Sequence, residues 1–225
     1  MKLTVQKEVF RRFPQLQIGF ILVNNLDNHT KLRESAHLLD QTVRLVQLTF
    51  NPDTLKTHHL ISPWTLARQE FGPAAQHYHT SVEQLLKKAL AKKKISGKDV
   101  LTNLVYYLSL KHILPLSVDD AGKIQGDLTF AIAARKKTTP ALQPGELQYH
   151  DAHDILGTKL DYWKSRKTKL TAHSTTALIH LEVLPPVTTP KLNEVMKEVQ
   201  LLVKNFCGGK PKMVILNKSK PSGTI

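Results

Sequence analysis

Eleven histidines, one cysteine and an adjacent pair of aspartates carry much of the reactive chemistry in this 225-residue sequence. The histidines crowd at His58-His59, at His77-Tyr78-His79 and at His150-Asp151-Ala152-His153-Asp154. A metal centre needs ligands that converge with fixed geometry. His77 and His79 would share a face only on a strand, yet they stand in turn-rich sequence ahead of a helix, so these histidines read as surface or polar-core groups and no metal site is assigned. Asp119-Asp120 could bind a metal or share a proton, but such a pair more often opens a turn or caps a helix. Cys207 ends an apolar helical stripe and reads as core filler, not as a nucleophile. A single cysteine excludes an internal disulfide and a Cys-based zinc cage. The sequence holds no Walker-type phosphate loop, no GxGxxG, no GxSxG and no HExxH, so the common nucleotide, cofactor and hydrolase signatures are absent.

The elements that must position these side chains follow from periodicity. Val5 to Phe10 and Gln15 to Val23 read as strands, and Asn24-Asn25-Leu26-Asp27-Asn28 as a turn. Leu32, Ala36, Leu39, Val43 and Val46 recur at helical spacing, stopped before Asn51-Pro52. Ser62-Pro63 opens a helix expected to run to Gly72, with Ser62 as its cap. Thr80-Ser81-Val82-Glu83 is a capping box ahead of the stripe Val82, Leu85, Leu86, Ala89 and Leu90. Lys98 to Tyr107 reads as helix, Asp127 to Ala133 as strand, Gln143 to Glu146 as turn and Leu147 to Tyr149 as a short strand. Thr175 to Leu184 reads as a strand with Ala177, Ile179 and Leu181 on one side and Leu178, His180 and Glu182 on the other. Pro190 opens a last helix striped by Leu192, Val195, Val199, Leu202, Val203 and Phe206, closed by Gly208-Gly209. Met213 to Leu216 is a candidate final strand, and Asn217 to Ile225 a frayed basic tail. Helices and strands mix without βαβ alternation, which predicts an α+β class and one domain over 1–225.

Charge supplies the partner. Lysine plus arginine is 32 against 18 acids, a net charge of +14. That excess suits a polyanion, most often nucleic acid. It concentrates at Lys87–Lys94, Arg135–Lys137 and Lys159–Lys169, which makes Lys92, Lys93, Lys94, Arg135, Lys136, Lys137, Lys164 and Arg166 the candidate RNA contacts. The longest clean apolar run, Ile18 to Val23, is far below the ~20 residues of a membrane span. No membrane and a cytoplasmic setting are expected.

The stretch Thr102-Asn103-Leu104-Val105-Tyr106-Tyr107-Leu108-Ser109-Leu110-Lys111-His112-Ile113-Leu114-Pro115-Leu116-Ser117 resembles the central motif of the B3/B4 tRNA-binding domain. That is the editing domain of the phenylalanyl-tRNA synthetase beta subunit, and free-standing bacterial proteins consist of it alone. Other pieces fit in order: Phe13-Pro14 with Asn24-Asn25-Leu26-Asp27, the helix opening at Ser81 to Leu86, Gly126-Asp127, Gly145 to Asp151, and Thr176 to Glu182. The resemblance covers about residues 10–185 and leaves a helix and tail over 186–225. It implies a compact unit with a barrel-like β core surrounded by helices. It also implies a cavity for the aminoacylated 3′ end of a tRNA, where the ester of a wrongly attached amino acid is hydrolysed without metal or cofactor. No synthetase or nucleotide-binding module is expected beside it.

Carried over by position, the family's Asn falls on Tyr106, its His beyond the proline on Ser117, and its Leu-Glu glutamate on Glu182. Ser117 and Glu182 are therefore the candidate catalytic pair, and Asn103, Tyr106 and Thr176 the candidate pocket wall. An aminoacyl ester is already activated, so one oriented water and donors to the developing oxyanion can suffice. Two of three anchors are changed, so three readings stay open: a trans-acting deacylase, an RNA-binding module without turnover, and a pocket for an amino acid or other small metabolite.

Overall fold

The computed structural model describes residues 1–70, 75, 77–138, 141–158 and 162–225. Gly72, where the third helix was expected to end, and Lys159, in one basic concentration, lie outside the described residues. In chain order the elements are β1 (Lys2–Val5), α1 (Lys7–Arg12), β2 (Gln17–Leu26), α2 (Leu32–Thr49), α3 (Ser62–Gln69), α4 (Ser81–Leu90), α5 (Val100–His112) and β3 (Leu116–Asp120). They continue as β4 (Leu128–Ile132), β5 (Leu147–His150), β6 (Ile155–Thr158), β7 (Trp163–Lys164), β8 (Thr176–Val183), α6 (Thr189–Cys207), β9 (Gly208–Leu216) and β10 (Ser222–Thr224). The class is α+β.

Two sheets carry the fold. One has the order β3-β8-β2-β9 and the other β10-β1-β4-β5-β6-β7. Neither closes into a barrel. The alternation in β8 places each sheet face. Ala177, Ile179, Leu181 and Val183 pack with α5 and α6 residues such as Leu104, Leu108, Val195 and Val199. Leu178, with Ile18 and Phe20 of β2, packs against Leu3, Leu128, Phe130 and Tyr149 of the other sheet. The four-stranded sheet thus lies between a helical layer and the second sheet. A third cluster, including Leu39, Val43, Leu86, Ala89 and Leu110, joins α2, α4 and α5.

Several local expectations change. Val5 to Phe10 is mostly helix: only Val5 belongs to β1, and Lys7–Arg12 forms α1 with Val9 and Phe10 buried. A one-turn amphipathic helix and a strand place apolar residues too similarly over six positions to be separated by period alone. Phe13-Pro14 follows α1 and is not strand. Asn25 lies within β2 at φ 58, so the turn begins later than the asparagines signal. Ile61, not Ser62, is the cap position of α3, and no side chain among the described residues caps it. Helix α5 continues beyond Tyr107 to His112 and ends at Ile113 with φ 54. The tail is not frayed: Ser222–Thr224 pairs antiparallel with β1, which runs parallel to β4. Gly208-Gly209 does close α6, but the same glycines open β9. At Gly209, with φ +79, a Cβ would sit 2.7 Å from the Asn24 carbonyl oxygen, so the sharp reversal needs glycine. The capping box at Thr80 forms as expected, with both reciprocal bonds.

Candidate functional site

Ser117 and Glu182 are brought to neighbouring strands by the β3–β8 pairing. Ser117 stands opposite His180 and Asp119 opposite Leu178. Opposed residues share a sheet face, so Ser117, Asp119, His180 and Glu182 all belong to the face that meets the second sheet. All four are buried. Helix α5 fixes the entry: Ser109 donates to the Leu114 carbonyl at 2.7 Å, which anchors the Leu114-Pro115 step into β3.

The center of this face is ionic. Asp119 is fully buried and lies 3.1 Å from the Lys164 ammonium. Its Oδ2 accepts from Tyr149 Oη at 3.2 Å, and its Oδ1 from Thr168 Oγ1. His180 lies between two carboxylates, with Nε2 3.6 Å from Asp119 Oδ2 and Nδ1 3.5 Å from Glu182 Oε1. These are ion-pair distances, and among the described residues neither ring nitrogen has a hydrogen-bond partner at normal length. Phe20, Phe130 and Tyr149 surround the ring at 6.2, 6.0 and 5.2 Å between centroids. Tyr149 reaches Asp119 because Gly157 lies beneath its ring: a Cβ there would come within 1.9 Å of Tyr149 Cε1. Burial opposes ionisation of Asp119, but the charge of Lys164 and the partners His180 and Thr168 outweigh it and bring its pKa down to about 2. For His180, burial disfavours the charged ring, and Asp119 and Glu182 overcome this, so its pKa is raised.

A cavity of about 330 Å³ opens beside this cluster, between α4, α5, β3 and the segment 162–170. Ser117 and Tyr106 are in its wall, with the cations Lys88, Lys164, Arg166 and Lys169 and the ring of Tyr162. The Tyr106 phenol is pushed up by burial and then by the charge of Asp99. The structure therefore brings together four of the residues singled out from sequence: Ser117, Tyr106, Lys164 and Arg166. Glu182 is not in the cavity wall; its carboxylate lies beside His180. Asn103 is a brace, accepting from Gly97 N at 2.6 Å and donating to Ser35 Oγ at 3.1 Å. Thr176 pairs with Asn24 at the far end of β8, six residues and ~20 Å from Glu182. Lys92, Lys93 and Lys94 follow α4 on the surface, and Arg135, Lys136 and Lys137 lie on the exposed loop after β4.

The residues that sequence reasoning missed are Asp119, His180 and Lys164 as one cluster. Period-two alternation placed His180 with Glu182, and the same count from Ser117 reaches Asp119. The adjacent acids do not act as a pair. Asp120 accepts from Gly122 N at 3.1 Å and from Ser174 Oγ at 2.7 Å, away from Asp119's partners. It also lies 3.1 Å from Lys123 Nζ. Among the described residues no group of three His, Cys, Asp or Glu could hold a metal ion. The His58 and His59 rings lie tilted against each other, 4.6 Å between centroids. Asp151 turns its chain by accepting from the backbone of His153 and Asp154. Cys207 is buried, and burial, then Asp27 and Asp99, push its thiol up to about 12.

A second cavity, of about 740 Å³, is lined by Lys56, Arg68, His77, His79, Glu83 and Lys87 with Leu55 and Ile61. Its polar floor is an Arg68–Glu83 pair whose atoms are satisfied locally. No helix among the described residues is long and apolar enough to cross a membrane. No protein-family model and no curated protein matches the chain.

Proposed function

We propose that the chain binds the aminoacylated 3′ end of a tRNA in the cavity of Ser117 and Tyr106 and hydrolyses the ester of a wrongly attached amino acid. The observation that carries this reading is the composition of that wall: Lys88, Lys164, Arg166 and Lys169 beside Tyr106 and Tyr162, with Ser117 among them. Cations neutralise phosphates, and tyrosine rings supply faces on which bases stack. A net charge of +14 adds long-range attraction for the same ligand. The ester step comes from the B3/B4 resemblance. Ser117 orients the water or donates to the carbonyl oxygen as charge develops on it. Glu182 acts from behind the wall through His180, whose Nδ1 faces its carboxylate. The finer fold reading goes with this one: a B3/B4-type unit whose two open sheets, packed face to face, serve as a barrel-like core in a cytoplasmic protein that needs no cofactor.

One observation favours a second reading, RNA binding without turnover. Glu182 is the family anchor kept in sequence, and it is not in the cavity wall. A panel of mischarged tRNAs separates the two. The proposal expects loss of one aminoacyl ester, slowed ~10-fold or more in Ser117→Ala as a transition-state contact is removed and slowed also in Glu182→Gln as its support through His180 is lost, with tRNA affinity nearly unchanged. Binding with no ester loss on any charged tRNA leaves the binding module. No binding at low salt excludes both.

A further inference from the structure

Four cations among the described residues line the cavity, and they are not equivalent. Lys88, Arg166 and Lys169 are exposed. Lys164 is the last residue of the short strand β7, and its side chain is 26% exposed. Its ammonium donates to the Val118 carbonyl and lies 3.1 Å from Asp119 Oδ2. Val118 and Asp119 directly follow Ser117 on β3, so Lys164 is clamped to the strand that presents Ser117 to the cavity. An ammonium has three N–H groups, and these two partners among the described residues leave one for a ligand.

Asp119 is itself held from several directions. Tyr149 on β5 and Thr168 donate to it, and His180 on β8 stands against it. A fully buried carboxylate is costly unless paired and hydrogen-bonded, and each of these contacts fixes its orientation. The contacts come from both sheets, which makes the clamp a product of the tertiary fold.

We infer that Lys164 is the fixed cation of the cavity, positioned by the buried Asp119 to receive a phosphate oxygen of the bound RNA end. This rests on the reading of the cavity as an RNA-end site. A cation already held in place loses little freedom when its ligand arrives, whereas an exposed lysine must be ordered at that moment. Lys164 is the ligand contact, and Asp119, Tyr149 and Thr168 are positioning residues.

The test uses the full chain and uncharged tRNA, with affinity measured at one low salt concentration. Lys164→Met is compared with Lys197→Met, which removes the same charge from an exposed position on α6. The expected result is ~10-fold weaker binding for Lys164→Met and less than about twofold for Lys197→Met, as for a positioned contact against long-range charge alone. In parallel, lysine acylation by an amine-reactive ester is followed residue by residue by mass spectrometry in the free protein. Lys164 should react more slowly than Lys197, and faster in Asp119→Asn. Tyr149→Phe, which removes one bond to Asp119, gives the same direction should Asp119→Asn fold poorly. Bound tRNA should protect Lys164. If the wild type does not bind tRNA, the cavity reading fails, and acylation still decides whether Lys164 is held. If the wild type binds and Lys164→Met weakens no more than Lys197→Met, the role of Lys164 alone fails. Acylation of Lys164 as fast as Lys197 overturns the positioning by Asp119.

Discussion

At Glu83 both carboxylate oxygens meet the Arg68 fork, at 2.5 and 2.8 Å, and Thr80 adds its amide at 2.8 Å and its hydroxyl at 2.9 Å. Arg68 also donates to the Tyr78 carbonyl and the Thr65 hydroxyl. All these partners lie between Thr65 and Glu83 in the chain. At Asp119 the partners come from Tyr149, Lys164, Thr168 and His180, and the His180 contact is stretched to 3.6 Å. The first region is a closed, bidentate, local pair of the kind that fixes a helix in place. The second is an open line of alternating charge that ends in a half-buried cation at a cavity wall. Burial of charge alone does not mark a site. Both regions border a cavity, and what sets the second apart is incomplete local satisfaction, with His180 held only at stretched distances from Asp119 and Glu182.

The sharpest way to break this contrast is to remove one partner from each pair. Arg68→Ala leaves Glu83 buried without its cation. It should destabilise by ~3–5 kcal/mol in urea unfolding, the usual cost of an uncompensated buried charge. A loss below about 1 kcal/mol, the scale of an exposed pair, would show that the Arg68–Glu83 pair is not closed to solvent.

Next in size is acid sensitivity. The Asp119 pKa falls from 3.8 unfolded to about 2 folded. A depressed carboxyl stabilises above its unfolded pKa, and this is lost as pH falls through the folded value. At ~1.4 kcal/mol per unit, Asp119 contributes about 2 kcal/mol at neutral pH, lost between about pH 4 and 2. Glu83 is also lowered, from 4.5, with burial opposing and Arg68 and Thr80 dominating, so it adds to the same slope. Asp119→Asn should flatten part of the acid slope and leave the Glu83 part. An unchanged slope would place the charge of Asp119 outside the fold's energetics.

A subtler test lies on the alkaline side. The His180 pKa is raised from 6.5 by its two carboxylates against the cost of burial. A raised imidazole stabilises below its unfolded pKa and loses this as pH rises through the folded one. Wild-type stability should therefore decline on the alkaline side of pH 6.5, and His180→Gln should remove that decline. Denaturant midpoints at pH 6 and pH 9 are enough to see it.

The smallest effect separates cavity cations from surface ones. Lys92→Ala should lower the slope of log affinity against log salt by about 0.7, as for one single-strand phosphate contact. It should barely change affinity at moderate salt. A slope untouched in Lys92→Ala would take the α4 end off the RNA path.

Much of the helical framework was legible because it is written locally. The Thr80 box, the α2 and α6 stripes, and the alternation that sets Leu178, His180 and Glu182 against Ala177, Ile179 and Leu181 each depend on neighbours within a few residues. Residues of short elements were harder: Lys7–Arg12 carries too few positions to distinguish the two periods, and β6, β7 and β10 have only four, two and three residues to show one.

For the site, sequence determined the residue types and the faces. It put Ser117 just past the proline and Glu182 on the strand face opposite Leu181 and Val183. Only the tertiary structure decided that Lys164 meets Asp119 across 45 positions, that Tyr149 lies over Gly157 to reach the same carboxylate, and that Glu182 answers to His180 and not to the cavity wall. The physical reason is separation along the chain. Helical and strand periods are set by backbone geometry over a few residues, whereas the partner of a buried charge is chosen by how two sheets pack, and no local pattern records that choice.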